Sequence, residues 1–459
     1  MNSRGVDVTH TSQNQRNTGL KNLLGQAQWS ESKLAQVVNR LGAEAGIALT
    51  YGQSSVAHWV RGAQPHEKAR PLIVEAFQRR LRRPVSYAEA GLRRPAAQAG
   101  RDGCDAVESL LTLGRADMDP SRRGVVAAGV YSAVLAVPLF ADTARAEDGG
   151  RAVRAARPTV RIGQGEVETV RRMTDKVADI LDELGGGHAR PMAAAFLVNT
   201  VAGYLKAAAP PEVHRDMLSA AADLTYLTGW MAMYERAHGV GQGYCVQALR
   251  LAREAQDHLA YCRTLRGMSL QATSLRHGPK ALELADSAAE AAPAAGPRLV
   301  AFLRGQQAHA AAMVGDRRTA FAHLAQAEAA LGKADSRRDS VGGYNHSAYQ
   351  FQVAHVLYEG RDLAGSIKAV KASIRAQPAR ERQGRLHFNA VLAQRQFEYG
   401  HVEEACATWG DFLDDYCVLS TARGDEHFER MRRRIGPYRR VRAVRELDER
   451  ARQVVAMKG

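Results

Sequence analysis

The stretch that decides the fold class is MVGDRRTAFAHLAQAEAAL, residues 313–331, in which a glycine precedes one amphipathic helical pattern. Gly315 supplies a turn, and Ala320 follows five residues later, where a small side chain lets two helices approach closely. Leu324 and Ala327 lie four and seven residues beyond Ala320, so all three share one helix face. The stretch therefore predicts the second helix of a helical hairpin.

Related stretches recur along the chain. Residues 357–374 and 397–413 repeat the spacing from glycine to small residue, residues 241–255 do so from Gly243, and residues 276–291 shorten it to three. The small positions are Ala248, Ala281, Ala320, Gly365 and Ala405. The small or apolar positions four and seven residues further on are Ala252 and Ala255, Ala285 and Ala288, Leu324 and Ala327, Ala369 and Ala372, and Trp409 and Phe412. A period of about 33 to 45 residues indicates a helical-hairpin repeat.

This pattern resembles the tetratricopeptide repeat over about residues 225–417, with irregular spacing and some aromatic positions missing. The resemblance implies an α-solenoid of degenerate tetratricopeptide-like helical hairpins. Stacked hairpins bury apolar faces that one hairpin cannot bury alone, and they leave a concave surface for a peptide, small-molecule or protein partner. The alternative interpretation is an Ala-rich helical bundle without true repeats.

A second informative stretch is YGQSSVAHWVRGAQP, residues 51–65. Val56 and Trp59 lie three residues apart and are expected to face the core. We therefore expect the polar side chains of this short helix to point outward, where amide, hydroxyl and imidazole groups can contact base edges. The candidate base-contacting residues are Gln53, Ser54, Ser55 and His58. The candidate backbone-contacting residues are Arg61, Lys68, Arg79 and Arg80, because positive charge beside phosphates adds affinity.

Two amphipathic helical patterns precede that stretch. The first has Leu20, Leu23 and Leu24 on one face. Ser30 is expected to be the N-cap of the second, and Gly42 is expected at its end. The inward face of the second helix is predicted to consist of Leu34, Val37, Val38 and Leu41.

Residues 20–81 resemble the lambda-repressor-like helix-turn-helix family. The matching positions are Ser30, Leu34, Ala35, Gly42, Val56, Trp59, Arg61, Gly62 and Pro65. The resemblance implies that the short helix within residues 51–65, which Gly62 is expected to end, is a recognition helix for double-stranded DNA. Two features depart from the family pattern: Glu31 stands where a phosphate-binding Gln is common, and the turn before the recognition helix is about ten residues longer.

Composition supports an all-α protein that associates with a polyanion. Apolar residues make up 45% of the 459 residues and aromatic residues only 6%, and the formal net charge is +15. The five cysteines form no CxxC pair, which argues against a zinc ribbon or a disulfide framework. The sequence contains no P-loop, HExxH or GxSxG motif. We therefore expect no enzymatic activity, no cofactor and no metal site.

The predicted order is a disordered arm (1–17), a helix-turn-helix domain (18–92), a linker (93–162) and a tetratricopeptide-like repeat domain with a C-terminal capping helix (163–459). The linker contains an uncharged apolar segment, 124–141. We expect it to be a buried helix rather than a membrane span, because Ala and Gly dominate it and Pro138 interrupts it.

This combination of domains resembles the peptide-pheromone-responsive regulators of Gram-positive bacteria and, more closely in composition, actinobacterial regulators of sporulation and antibiotic production. The resemblance implies a cytoplasmic, dimeric transcription factor whose repeats sense a ligand or partner. Two alternatives remain: a protein-interaction scaffold without specific DNA binding, and a membrane-anchored regulator.

Overall fold

The structure is a computed structural model, described here for residues 16–44, 47–81, 83, 85–93, 105–118, 131–133, 135, 137, 140, 160–292, 296–334, 344–378 and 381–458. These residues are mostly α-helical and contain no β-strand, only an isolated bridge between Arg161 and Ala208. The all-α prediction is therefore confirmed. The chain divides into an N-terminal unit (1–103 with 132–134) and a C-terminal unit (104–131 with 135–459).

The N-terminal unit contains α1 (Thr18–Ala27), α2 (Glu31–Glu44), α3 (Gln53–Val60) and α4 (Ala69–Leu81). Every apolar residue predicted to face the core of α1 to α3 is buried. These residues are Leu20, Leu23, Leu24, Leu34, Val37, Val38, Leu41, Val56 and Trp59. Helix α4 completes this core with Leu72, Ile73 and Phe77.

The predicted arm ends earlier than residue 17. Asn17 is buried, and its side-chain oxygen accepts a hydrogen bond from the Leu20 backbone N–H at 2.9 Å, which makes it the N-cap of α1. A buried capping residue belongs to the folded unit, so its assignment to a disordered arm is wrong. Residues 1–15 lie outside the described residues.

The helices of the C-terminal unit follow one another along the chain. They are α5 (Ala106–Met118), α6 (Gln164–Leu184), α7 (Gly186–Phe196), α8 (Ala202–Leu205), α9 (Pro211–Tyr234), α10 (His238–Glu254), α11 (His258–Ser274), α12 (Gly278–Glu290), α13 (Pro297–Met313), α14 (Arg317–Leu331), α15 (His346–Glu359), α16 (Leu363–Ala376), α17 (Arg382–Tyr399), α18 (Val402–Tyr416), α19 (Ala422–Ile435) and α20 (Arg442–Lys458). Helix α5 lies inside the segment expected to be a linker, and its Val107, Leu110 and Leu111 are buried. That segment therefore contributes to the core of this unit.

Residues 124–141 are described only in part. Tyr131, Ser132, Ala133, Leu135, Val137 and Phe140 are described, and none of them lies in an α-helix. The expected buried helix is therefore wrong at these positions, and the rest of the segment lies outside the described residues. Among the described helices, none combines the length and apolar character needed to span a membrane.

Five antiparallel helix pairs dominate the packing of the C-terminal unit: α9–α10, α11–α12, α13–α14, α15–α16 and α17–α18. In four pairs a three-residue turn joins the two helices, and its middle residue is in the left-handed region. In the α17–α18 pair the turn has two residues, Gly400 and His401, and the first is in that region. The left-handed residues are Arg236, Arg276, Gly315, Arg361 and Gly400. Each turn makes the two backbone hydrogen bonds of a Schellman motif, such as Gly400 N–H to Phe397 C=O (3.2 Å) and His401 N–H to Gln396 C=O (2.9 Å).

The predicted small positions are placed correctly in three of these pairs. Ala281, Ala320 and Ala405 are each the fourth residue of the second helix and are fully buried. In the fourth pair the register is wrong by one residue, because Ser366 is buried at that position and its hydroxyl donates to Ala354 C=O at 2.7 Å. Gly365 is only half-buried.

In the first pair the register is wrong by seven residues. The fourth residue of α10 is Gly241, where an added Cβ would lie 2.9 Å from the Gly229 carbonyl oxygen of α9. Ala248, the predicted position, is buried two turns further along the same face. Two helical turns nearly repeat a face, so the pattern alone does not separate these registers.

Candidate nucleic-acid interface

Helix α3 is held by its apolar face. Val56 is fully buried and Trp59 is 5% exposed. The Trp59 ring meets the Tyr51 ring edge to face, with 5.0 Å between ring centroids. An aromatic pair of this geometry adds to the stabilisation that burial gives, so the rotation of α3 about its axis is fixed.

The predicted base-contacting residues lie on the opposite side of α3. Gln53, Ser54 and His58 are exposed, and Ser55 is half-buried. Ser54 and His58 are one helical turn apart, so their side chains are neighbours on the surface. The structure thus brings the four residues onto one short helix, in the orientation expected from the sequence.

The long loop before α3 is fastened to α2 by Asn39. Its side-chain amide donates to the Tyr51 carbonyl at 2.8 Å, and its oxygen accepts from the Tyr51 N–H at 2.9 Å. Paired hydrogen bonds of this kind satisfy backbone groups that no helix satisfies. The sequence reasoning missed Asn39, because one polar residue on the border of an apolar face carries no distinguishing pattern.

The same loop turns back on the end of α2. The Ile47 N–H donates to the Gly42 carbonyl at 2.7 Å, and a Cβ at Gly42 would lie 2.7 Å from a Leu49 methyl carbon. Gly42 is therefore required for this close approach. The ten additional residues that depart from the repressor pattern form a packed connection at these points.

Helix α3 ends in a Schellman motif. Gly62 has a φ of 112°, its N–H donates to Trp59 C=O at 3.1 Å, and the Ala63 N–H donates to His58 C=O at 3.2 Å. Arg61 is exposed at this end, with its Nε 3.2 Å from the Ala57 carbonyl. The prediction that Gly62 ends the helix is confirmed, and Arg61 lies beside the outward face of α3.

The start of α2 also has the predicted cap. The Ser30 hydroxyl accepts a hydrogen bond from the Lys33 N–H at 3.1 Å. Glu31 lies in the first turn of α2, where a negative charge is favoured by the helix dipole. The carboxylate at this position thus has a structural role in the helix.

The four predicted backbone-contacting residues differ in their surroundings. The Arg79 side chain is only 14% exposed, and its Nε lies 2.8 Å from a Glu75 carboxylate oxygen. Arg80 is exposed but donates from Nε to the Ala27 carbonyl at 3.0 Å. Lys68 is half-buried. Arg61 and Lys68 remain in our candidate interface, whereas Arg79 and Arg80 are engaged within the N-terminal unit.

Glu75 explains the engagement of Arg79. This carboxylate is buried, and desolvation raises its pKa, an effect that the Arg79 charge and the Ala133 N–H oppose. The Ala133 N–H donates to it at 2.9 Å. A buried carboxylate needs such partners, so the Arg79 guanidinium serves the core of the unit.

Asn17 connects α3 to the end of the unit. Its backbone N–H donates to Val60 C=O at 2.9 Å, and its side-chain nitrogen donates to Ala90 C=O at 3.0 Å and Gly91 C=O at 3.1 Å. Residues 85–93 therefore belong to the unit that positions α3.

A comparison with known proteins matches this unit. The family model described as "SP15 N-terminal domain" matches residues 20–93, which agrees with the extent of the packed N-terminal unit. No curated protein and no solved structure matches the chain.

Proposed function

We propose that this protein is a sequence-specific DNA-binding transcriptional regulator, and that α3 is its recognition helix. The observation that carries the proposal is the orientation of α3: Val56 and Trp59 are buried while Gln53, Ser54 and His58 are exposed. This arrangement fits a repressor-like helix-turn-helix, in which the core holds the helix so that its polar N-terminal half reaches base edges.

The chemistry of this surface suits DNA. A glutamine can bond adenine through two hydrogen bonds, and serine or histidine can contact base or phosphate acceptors. No acidic residue occurs between Glu44 and Glu67, so the sequence of the loop and α3 carries no negative charge. Arg61 follows α3 directly and is placed to contact phosphate.

We also propose a sensing role for the C-terminal unit and a dimeric state for the protein. The helical hairpins of the C-terminal unit act as a tetratricopeptide-like α-solenoid that senses a ligand or partner. The protein acts in the cytoplasm as a homodimer, because repressor-like domains read two half-sites about one helical turn of DNA apart. Ligand binding then changes DNA affinity through a coupling between the two sites.

The test is selection from a library of random DNA duplexes by the full-length protein. We expect an enriched motif for the wild type and its loss in Gln53→Ala/His58→Ala, because these changes remove the base contacts while leaving the buried face intact. The matched control is His323→Ala/Gln326→Ala, which removes a His–Gln pair from the surface of α14, where the two side chains lie 3.3 Å apart.

Selection of the same motif by all three proteins contradicts the assignment of α3. Selection of no motif by the wild type, with weak binding to every duplex, favours the alternative function, an interaction scaffold to which the charge of +15 attracts DNA without specificity.

A further inference from the structure

Helix α19, which follows the last helical pair of the C-terminal unit, contacts the end of α9, the first helix of the first pair. The Ala422 N–H at the start of α19 donates to a Glu235 carboxylate oxygen at 3.3 Å. The Arg423 guanidinium lies over the Tyr234 ring, 4.5 Å from its centroid. Helix α19 therefore packs on the end of α9, although about 190 residues separate them in the sequence.

The first helices of the intervening pairs contribute a continuous series of side chains between these two ends. Arg266 of α11 lies 3.7 Å over the Phe302 ring of α13, and His309 of α13 stacks on His355 of α15 with 4.4 Å between centroids. The Phe351 ring of α15 then contacts the His387 ring of α17, with 5.5 Å between ring centroids.

Helix α19 continues the series. The His387 Nδ1 lies 3.0 Å from the His427 Nε2, and Arg423 on the same helix meets Tyr234 of α9. On α9, Tyr226 lies against α11 beside Arg266, because a Cβ added at Gly267 would be 2.7 Å from the Tyr226 hydroxyl oxygen. The side chains thus form a closed circuit through these helices, and we call this set of side chains the interior cluster.

The interior cluster contains two buried arginines that form no ion pair. Arg266 is 7% exposed and Arg395 of α17 is 4% exposed. Within the described part of the chain, neither guanidinium has a carboxylate oxygen within 4 Å, and Arg266 Nε and Arg395 Nη1 have no hydrogen-bond partner. An isolated buried charge is costly, so these arginines destabilise the fold unless an anion pairs with them.

The groups that directly contact Arg395 are neutral, and the Glu398 and Glu359 carboxylates act on it from beyond ion-pair distance. Arg395 Nη2 lies 3.4 Å from His355 Nδ1, and its guanidinium lies 4.7 Å over the Tyr358 ring. Burial lowers the pKa of His309 to about 3, and the Arg395, Arg276 and Arg266 charges contribute to that shift. The imidazole is therefore uncharged at neutral pH.

Two buried amides near this series also have unused hydrogen-bonding capacity. The Gln306 Oε1 and the Gln352 Nε2 are without partners among the described residues. The other atoms of both amides are engaged: Gln306 Nε2 donates to the Ser269 hydroxyl at 2.9 Å, and Gln352 Oε1 accepts from the Tyr344 hydroxyl at 2.6 Å. Both amides are thus fixed with a free polar atom.

We propose that the interior cluster binds an organic anion whose carboxylate or phosphate is held by the Arg266 and Arg395 guanidinium groups. Its apolar part lies against the rings that line the circuit, because tyrosine, phenylalanine and histidine faces alternate with the two arginines. Planar guanidinium groups bind carboxylate and phosphate through paired hydrogen bonds. The proposal names the class of ligand that the C-terminal unit senses in the proposed function. It rests on that function only where it implies that the ligand changes DNA binding.

The test measures thermal unfolding of the full-length protein in benzoate, inorganic phosphate and benzamide at constant ionic strength. Benzamide has nearly the shape of benzoate but no charge. We expect benzoate or phosphate to raise the unfolding temperature with saturation, because a ligand that binds only the folded state stabilises it. Benzamide is expected to have no effect.

Two variants locate the effect. Arg395→Met and Arg266→Met each remove an unpaired buried charge, so each variant is expected to unfold at a higher temperature than the wild type without added anion. Each variant is also expected to lose most of the anion-dependent rise. Arg433→Met, an exposed arginine of α19, is the matched control and should retain that rise.

Three results overturn the proposal: no saturable rise with either anion, equal rises with benzoate and benzamide, or an anion-dependent rise that both core variants keep. Circular dichroism of the variants separates misfolding from loss of the site. The measurement contains no DNA. Anion binding can therefore fail while α3 still selects a motif, and motif selection can fail while the anion still binds.

Discussion

At the scale of single residues, burial controls the charge state of the interior histidines. The pKa of His309 is lowered to about 3 from its ordinary value of 6.5, first by desolvation and then by neighbouring arginines. The pKa of His427 is lowered to about 3 as well, again mainly by desolvation. These imidazoles are neutral in the folded protein under conditions where the unfolded chain protonates them.

This difference predicts acid sensitivity of the C-terminal unit. Between pH 6.5 and 3 the unfolded state binds more protons at His309 than the folded state does, so the free energy of unfolding falls as pH falls through that window. We expect His309→Gln to reduce the slope of this fall by about 1.4 kcal/mol per pH unit. Urea unfolding at several pH values within the window measures the slope.

His323→Gln is the control for that measurement, because its imidazole is on the surface of α14. An unchanged slope in His309→Gln would show that His309 is already protonated in the folded protein, or that the interior is open to water.

Asn39 is the residue that sequence reasoning could not have identified. Its importance depends on Tyr51, twelve positions away, whose backbone it bonds twice. The periodicity of α2 predicts which side chains are buried, but a polar residue at the border of the buried face gives no sign of the loop that will reach it. The exposed residues of α3, by contrast, followed directly from the spacing of Val56 and Trp59.

At the level of helices, a short turn with one residue of positive φ joins the two helices of each pair. Gly400 has a φ of 97° and Gly315 a φ of 88°, whereas arginine takes this position in the three other pairs. The conformation is therefore imposed by the two helices rather than by the local sequence. Glycine removes the strain that a Cβ introduces there.

Gly400→Ala should lower the free energy of unfolding by about 1 kcal/mol, because alanine is strained in the left-handed region. No atom lies within 4 Å of the position of a new Cβ, so the effect isolates backbone strain. Gly436→Ala is the matched control: it has equal free space and a φ of −48°, and we expect no loss of stability. Equal losses in the two variants would contradict the explanation by strain.

Ser366 occupies the position where the two helices of the α15–α16 pair are closest-packed in our structure. Ser366 is fully buried where α15 and α16 approach each other, so Ser366→Leu should lower the free energy of unfolding by about 1–3 kcal/mol through overpacking. Ala364→Leu, at an exposed site two residues earlier, should be nearly neutral. If Ala364→Leu destabilises the protein more than Ser366→Leu does in thermal or urea unfolding, Gly365 rather than Ser366 is the packed position.

The register errors have one physical origin. Small residues are frequent throughout these helices. Positions seven residues apart nearly share a face, and in α16 three small residues, Ala364, Gly365 and Ser366, follow one another. Only the partner helix decides which small residue is needed. In α10 that residue is Gly241, because the carbonyl of Gly229 leaves no space for a Cβ.

At the scale of the whole molecule, the charge of +15 predicts DNA affinity that falls steeply as salt rises. We expect Arg61→Ala to reduce the slope of log affinity against log salt by about 1, because one phosphate contact is lost. Gln53→Ala should leave that slope unchanged while reducing discrimination between the selected motif and other duplexes by about 1–3 kcal/mol. Fluorescence anisotropy at a series of salt concentrations measures both quantities.

In this comparison the two variants act as controls for each other. If Gln53→Ala lowers the salt slope and Arg61→Ala lowers discrimination, the roles assigned to base and backbone contact are reversed.

Patterns in the amino-acid sequence were enough to predict the all-α class, the buried faces of α1 to α3, the caps at Ser30 and Gly62, and the existence of successive helical pairs. Each of these depends on contacts within about one turn of helix or on a periodic apolar face, and both are written locally in the chain. The orientation of the polar residues of α3 is a consequence of the same periodicity.

Three features depend on the folded chain: Asn39 anchors the loop before α3, Glu75 pairs with Arg79, and α9 contacts α19. The unpaired arginines of the interior cluster became visible for the same reason. Whether a charged side chain faces solvent, a carboxylate or a polar interior depends on residues that are distant in the sequence. Local patterns carry no information about that choice, because burial and charge pairing are properties of the assembled chain.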